Sequence, residues 1–246
     1  MTINKTVFIT GGAKRIGLAT AKYLHSEGYN IIISYNKSNK DAKKIFTELN
    51  LHRKNSCQII KIDFLSIKDY KSISKKIINF FGRVDVLVNN ASKFYPTQIN
   101  KINEKNWHDI IDTNLKAALF FSKSLYSELK KRKGCIINIV DIHVNPPLKD
   151  HIIYNISKAG LLALTKTLAK DLAPSIRVNS ISPGAIMWAE ADMKKINKQK
   201  NILSKIPLNK TGSPDDIAKA ILFLIKDANY ITGQNINIDG GRKLNM

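Results

Sequence analysis

The chain has 246 residues, 40 Lys and Arg against 19 Asp and Glu, a formal net charge of +21, and 43% hydrophobic residues. That length can bury a substantial core and suits one large α/β domain, expected over residues 1–246. No apolar run approaches the roughly 20 residues that cross a bilayer, which excludes a helical membrane-spanning protein.

Short β-rich apolar runs at 7–10, 31–34, 58–62, 84–89, 135–140, 177–181 and 235–238 alternate with helical patterns at 16–27, 41–49, 67–80, 115–131, 152–172 and 214–226. The runs are apolar on both faces, as buried parallel strands are. Ser66 and Ser213 stand where helix N-caps belong, and Gly28 where a helix stops. The pattern predicts a single-domain, Rossmann-type doubly wound parallel sheet of seven strands, with helices on both faces.

In such a sheet ligands bind beyond the carboxyl ends of the strands. The loops 11–15, 35–38, Asp63, 90–96, 141–151 and 183–190 therefore share one crevice. The first holds Thr10-Gly11-Gly12-Ala13-Lys14-Arg15-Ile16-Gly17, where Gly11 and Gly17 permit a tight turn that aims backbone N–H groups and a helix N-terminus at a pyrophosphate. The second strand ends Ser34-Tyr35-Asn36-Lys37-Ser38, without the carboxylate that usually binds an NAD ribose. Arg15, Lys37 and Ser38 would instead meet a 2′-phosphate, so NADPH is the predicted cofactor. Asp63 follows the third strand and could accept from an adenine amine or cap the next helix.

Tyr154 and Lys158 lie four apart, on one face of a helix. An ammonium there can stabilise a tyrosinate and bring the phenol toward use as a proton donor. Cys57 and Cys135 lack metal-ligand spacing and are read as reduced residues of a cytosolic protein; the strand-like Val7-Phe8-Ile9 leaves no room for a signal peptide. Lysines are dispersed along most helices and loops, and no nucleic-acid motif accompanies them. The charge is read as a compositional bias shared with Asn and Ile, with no nucleic-acid or membrane partner expected, although a positive field speeds capture of an anionic cofactor.

The glycine turn, Asn89-Asn90-Ala91, Asn114, Tyr154/Lys158 and Pro183-Gly184 together resemble the short-chain dehydrogenases/reductases across essentially the whole chain. The resemblance implies Tyr154 as general acid or base, Lys158 on the nicotinamide ribose, and Asn114 anchoring a proton-relay water. It also places Gly11, Lys14, Arg15, Ile16, Tyr35, Asn36, Lys37, Ser38 and Asp63, with Asn90, Ala91, Ser92, Pro183 and Gly184, around the cofactor. Two departures stand out: Arg15 where most members have Gly, and Asp141 where most have Ser. A serine donates to a substrate carbonyl, whereas a carboxylate only accepts. With Ser92-Lys93-Phe94, Val140-Asp141-Ile142-His143 and Asp239-Gly240-Gly241-Arg242, the chain resembles the pteridine reductases. That resemblance implies a pterin stacked on Phe94, touched by Arg15, Ser92, Asp141 and Tyr154, with Trp188 in a mobile lid, and a homotetramer. A reductase of 3-oxoacyl thioesters is the alternative, and a catalytically idle binding protein the second. His143 is expected to bond locally, and Trp107 to anchor the core. Leu115, Leu119, Leu125 and Leu129 form one apolar stripe, and Leu161, Leu164, Leu168 and Leu172 another; each is expected to pack on the sheet.

Overall fold

The computed structural model describes residues 4–187 and 196–246. Seven parallel strands, β1 (Thr6–Ile9), β2 (Asn30–Tyr35), β3 (Cys57–Lys61), β4 (Val86–Asn89), β5 (Cys135–Ile139), β6 (Arg177–Pro183) and β7 (Asn235–Ile238), form one sheet in the order β3-β2-β1-β4-β5-β6-β7. Successive side chains of a strand point to opposite faces, and here both faces are covered. Val7 and Ile9, Ile31 and Ile33, and Val86 and Val88 enter one core cluster. Phe8, Ile32 and Leu87, between them, enter the other.

The first cluster is roofed by α1 (Arg15–Ser26) and α8 (Pro214–Lys226), through Leu24, Ile217, Ile221 and Leu224. The second is roofed by α3 (Tyr70–Phe81), α5 (Ala117–Lys131) and α6 (Ile152–Leu172), with Ile77, Phe121, Leu125 and Ala169 buried. The remaining helices are α2 (Asn39–His52), α4 (Glu104–Ile111) and α7 (Ile196–Leu203). Among the described residues no helix is long and apolar enough to cross a membrane. Cys57 and Cys135 are free and buried, and burial pushes their thiols up to about 12 and about 11.

Local rules placed several boundaries. Ser213 caps α8 in a reciprocal box with Asp216, and Gly28, at φ 90°, ends α1. Ser66 does not cap α3. Its hydroxyl donates to Asp63 O, and the helix begins later, capped by Asp69 accepting from the Lys71 and Ser72 N–H groups. Trp107 is 42% exposed and is not a core anchor; Ile110 of the same helix is the buried residue. Leu119 also leaves its stripe and is 39% exposed: within α5 the buried face runs through Ala118, Phe121, Leu125 and Leu129, and Leu119, six residues before Leu125, falls off it.

Behind the crevice, β4, β5 and α6 are joined by a buried polar chain. Asn89 Nδ2 donates to Asn138 Oδ1 at 2.8 Å, and Asn138 Nδ2 to Thr165 Oγ1 at 2.8 Å. Removing the middle link leaves the buried Asn89 amide without a partner, while Thr165 Oγ1 keeps its bond to Leu161 O, and an unsatisfied buried amide costs about 2 kcal/mol. Asn138→Ala is therefore expected to lower the melting midpoint by roughly 5 °C; a midpoint within a degree of the parent would show the chain carries no stability.

Candidate active site

The glycine turn is fixed from below by the end of β4. Thr10 Oγ1 accepts from both Asn90 N–H and Ala91 N–H at 3.0 Å, while Asn90 Nδ2 donates to Thr10 O at 2.9 Å and Gly11 O at 3.0 Å. A Cβ on Gly17 would fall 2.5 Å from Gly11 O and 2.6 Å from Asn90 Nδ2, so only glycine lets the first turn of α1 sit this close. Gly11 itself takes φ 65°.

Beside this turn a cavity of about 230 Å³ is lined by Gly11, Ala13, Lys14, Ser34, Tyr35, Asn36, Lys37, Ser38 and Lys93. It holds three lysines and no carboxylate. Lys14 meets Asp41 at 3.2 Å, but both side chains are about half exposed, and such a pair is worth too little to prevent Lys14 from turning to a phosphate. Arg15 and Ile16 open α1 outside this lining, with Arg15 exposed at φ 51°. Asp63 is exposed, accepting from Asn36 Nδ2 at 3.2 Å and from Leu65 N–H at 3.2 Å. The residues fit an adenosine nucleotide carrying an extra phosphate: a backbone cradle, a helix N-terminus and cations around a concave site.

The other half of the crevice is built around the loop after β4. Asn114, in the π-helical turn, clamps the Lys93 peptide from both sides: its Oδ1 accepts from Lys93 N–H at 2.7 Å and its Nδ2 donates to Lys93 O at 3.0 Å. The same Nδ2 donates to Ser157 Oγ of α6 at 3.0 Å. Downstream, Thr97 N–H donates to Asp150 O at 2.6 Å, and Thr97 Oγ1 accepts from Ile153 N–H at 3.2 Å. These ties hold Phe94 edge-on to Tyr154, with centroids 4.7 Å apart, and stacked on His151 at 4.8 Å. Phe94 is 58% exposed and is therefore a wall of the crevice. Ser92 is exposed in the same loop.

At the centre, the buried Tyr154 hydroxyl donates to Asp141 Oδ2 at 2.6 Å, and Asp141 Oδ1 accepts from His143 N–H at 2.8 Å. The Lys158 ammonium is buried on the next turn, donating to Ile139 O at 2.8 Å and lying 5.8 Å from the Tyr154 ring centroid. The phenol is not brought toward neutrality. Burial first, then the Asp141 charge and its hydrogen bond, hold it well above its ordinary range. It keeps its proton at neutral pH, the form a proton donor needs. His143 stays local, its imidazole lowered chiefly by burial. Pro183 is the last residue of β6 and Gly184 follows it, packed on Asp239; Trp188 lies outside the described residues. The spacing of Tyr154 and Lys158 pointed to this site, but not to His151, Ser157 or Lys93. Ser157, three residues after Tyr154 on the same helix, was the one within reach of helical periodicity.

A parallel sheet with this crossover order, a glycine turn at its carboxyl edge and a buried Tyr/Lys pair define a short-chain oxidoreductase. The chain belongs to the short-chain dehydrogenase/reductase family, matching over residues 11–243 the branch described as Enoyl-(Acyl carrier protein) reductase. It is similar to 3-oxoacyl-(acyl-carrier-protein) reductase FabG of Staphylococcus aureus, at 34% identity over 98% of this chain and 99% of that one. The proteins of the same name from Staphylococcus epidermidis and Thermotoga maritima are each 35% identical, over 97% and 96% of this chain and 99% and 97% of theirs.

Burial holds the Lys158 ammonium down at about 8, against its ordinary 10.5. Between those values the unfolded chain binds more protons than the folded one, so this group's contribution to stability rises with pH across that window. Below about 8 its burial is a cost, at about 1.4 kcal/mol per tenfold change in proton affinity. Lys158→Met is thus expected to raise the melting midpoint of the ligand-free protein at pH 7 by a few degrees, with the gain fading toward pH 10. A lower midpoint at every pH would mean that the bond to Ile139 outweighs the buried charge.

Proposed function

We propose that the protein is an NADPH-dependent reductase of dihydropterins. The observation that carries this reading is the 2.6 Å bond from Tyr154 to Asp141, which places an acceptor-only carboxylate inside the crevice beside the proton donor. A ketone needs a neutral donor at that position and would face a lone pair instead. A ring bearing N–H and amino groups offers the donors that Asp141 accepts. The aromatic wall of Phe94 and His151 suits a flat heterocycle.

Reduction of a ring C=N bond consumes one hydride and one proton, and NADPH, when bound, supplies the hydride. Tyr154 supplies the proton from its hydroxyl. Asp141 orients that hydroxyl and anchors the ring edge; the Lys158 charge sits where a departing phenolic proton leaves negative charge behind. Preference for NADPH over NADH rests on the lysine-lined, carboxylate-free cavity at the end of β2. Asn114 serves as the scaffold between the Phe94 loop and α6. A homotetramer is proposed through the outward faces of α5 and α6, where Leu119, Tyr126 and Ile156 are exposed.

A second reading, reduction of 3-oxoacyl thioesters, is favoured by the comparisons, since the three relatives above carry that name. The two readings part on substrate. NADPH oxidation followed against dihydrobiopterin, dihydrofolate and an acetoacetyl thioester is expected to be fastest with the pterin, and slower with NADH. Turnover confined to the thioester would replace the pterin reading with the second one.

A further inference from the structure

The cavity at the end of β2 is lined from the glycine turn, from the segment 34–38 and, from outside both, by Lys93. Lys93 belongs to the loop after β4, next to Phe94, whose ring stands in the crevice against Tyr154. Its backbone is fixed, because Asn114 bonds both its N–H, at 2.7 Å, and its carbonyl, at 3.0 Å. Its side chain is not held in the same way. It is 43% exposed, and a lysine carries its charge on a flexible four-carbon stem. The ammonium can therefore change partners without any movement of the loop.

Its partner in the structure is Asp109 of α4. Lys93 Nζ lies 3.5 Å from Asp109 Oδ1, while Asp109 Oδ2 accepts from the Tyr95 hydroxyl at 3.0 Å. An ion pair this long and partly exposed is worth too little to keep Lys93 there. Lys14, in the glycine turn, repeats the arrangement with Asp41 at 3.2 Å. A phosphate in the cavity is a more highly charged acceptor, set in a concave and lysine-rich site. When the ammonium leaves, Asp109 keeps its bond to Tyr95 and, at 22% exposure, its access to water, so the exchange strands no charge.

We propose that Lys93 is a specificity-determining residue for the cofactor: its ammonium leaves Asp109 to meet a phosphate of the bound dinucleotide, so that the loop bearing Phe94 reads the cofactor's charge directly. This rests on the NADPH site given under the proposed function, and it ties the two halves of the crevice through one side chain.

The test is the dissociation constant of the full-length protein for NADPH and for NADH, read from nicotinamide fluorescence without substrate and at one ionic strength, for the parent, Lys93→Met, Lys93→Arg and Asp109→Asn. Lys93→Met is expected to weaken NADPH binding by about tenfold, the loss of one charge-assisted bond, and Lys93→Arg to retain most of the affinity. Lys93→Gln takes the place of the Met variant if the latter does not fold. A loss confined to NADPH assigns the contact to the 2′-phosphate; an equal loss with NADH assigns it to the pyrophosphate. Asp109→Asn breaks the same ion pair but keeps the ammonium, so NADPH should bind it as well as the parent or better. Unchanged NADPH affinity in the Met or Gln variant, or an equal loss in Asp109→Asn, makes Lys93 a surface lysine or a brace of the loop and overturns the proposal. A parent that binds NADH more tightly than NADPH refutes the cofactor preference by itself; the same comparison on NADH then decides the role of Lys93.

Discussion

One proton, held between a phenol and a carboxylate at 2.6 Å, is the interaction on which the proposed chemistry depends. Burial makes it consequential. In water such a bond trades for solvent at little net gain, whereas in a dry site it fixes which group donates and where the negative charge stays. Tyr154 is held protonated by its surroundings, and the buried Lys158 ammonium lies 5.8 Å from its ring centroid, where the proposed mechanism uses its charge. In the proposed function the pair serves a reduction, which consumes a proton.

The fold brings these groups together through its strand ends. Asp141 follows β5, Lys158 bonds back to the last residue of β5, and the Phe94 loop follows β4. Side chains then make the loops rigid: Asn114 on Lys93, Thr97 on the start of α6, and Asn90 on the glycine turn. Each of these amides and hydroxyls is satisfied by a backbone group that would otherwise be stranded, so the loops hold their shape as part of the scaffold.

Much of this was legible in the sequence because it is local. Strands buried on both faces are apolar throughout, the glycine turn needs glycine at Gly11 and Gly17, and Tyr154 and Lys158 share a face at four-residue spacing. What escaped depends on tertiary neighbours. Ser66 reads as a cap, but its hydroxyl bonds back to Asp63 O and Asp69 caps the helix instead. Leu119 was counted in a leucine stripe, but the buried face of α5 runs through Ala118, Phe121, Leu125 and Leu129. The proton affinity of Tyr154 follows from burial and from Asp141, neither visible in a four-residue spacing that shows only Lys158. His151 had no signal beyond its place before α6, and it reaches the site by stacking on Phe94.

In the proposed reading the carboxylate of Asp141 is what separates a heterocycle reductase from a ketone reductase on the same scaffold, so exchanging that one group is the most direct measurement. Asp141→Ser should lower kcat/KM for dihydrobiopterin by about two orders of magnitude, with turnover of an acetoacetyl thioester retained or increased. Unchanged pterin turnover in that variant would contradict the account, leaving a hydride-transfer enzyme whose substrate Asp141 does not choose.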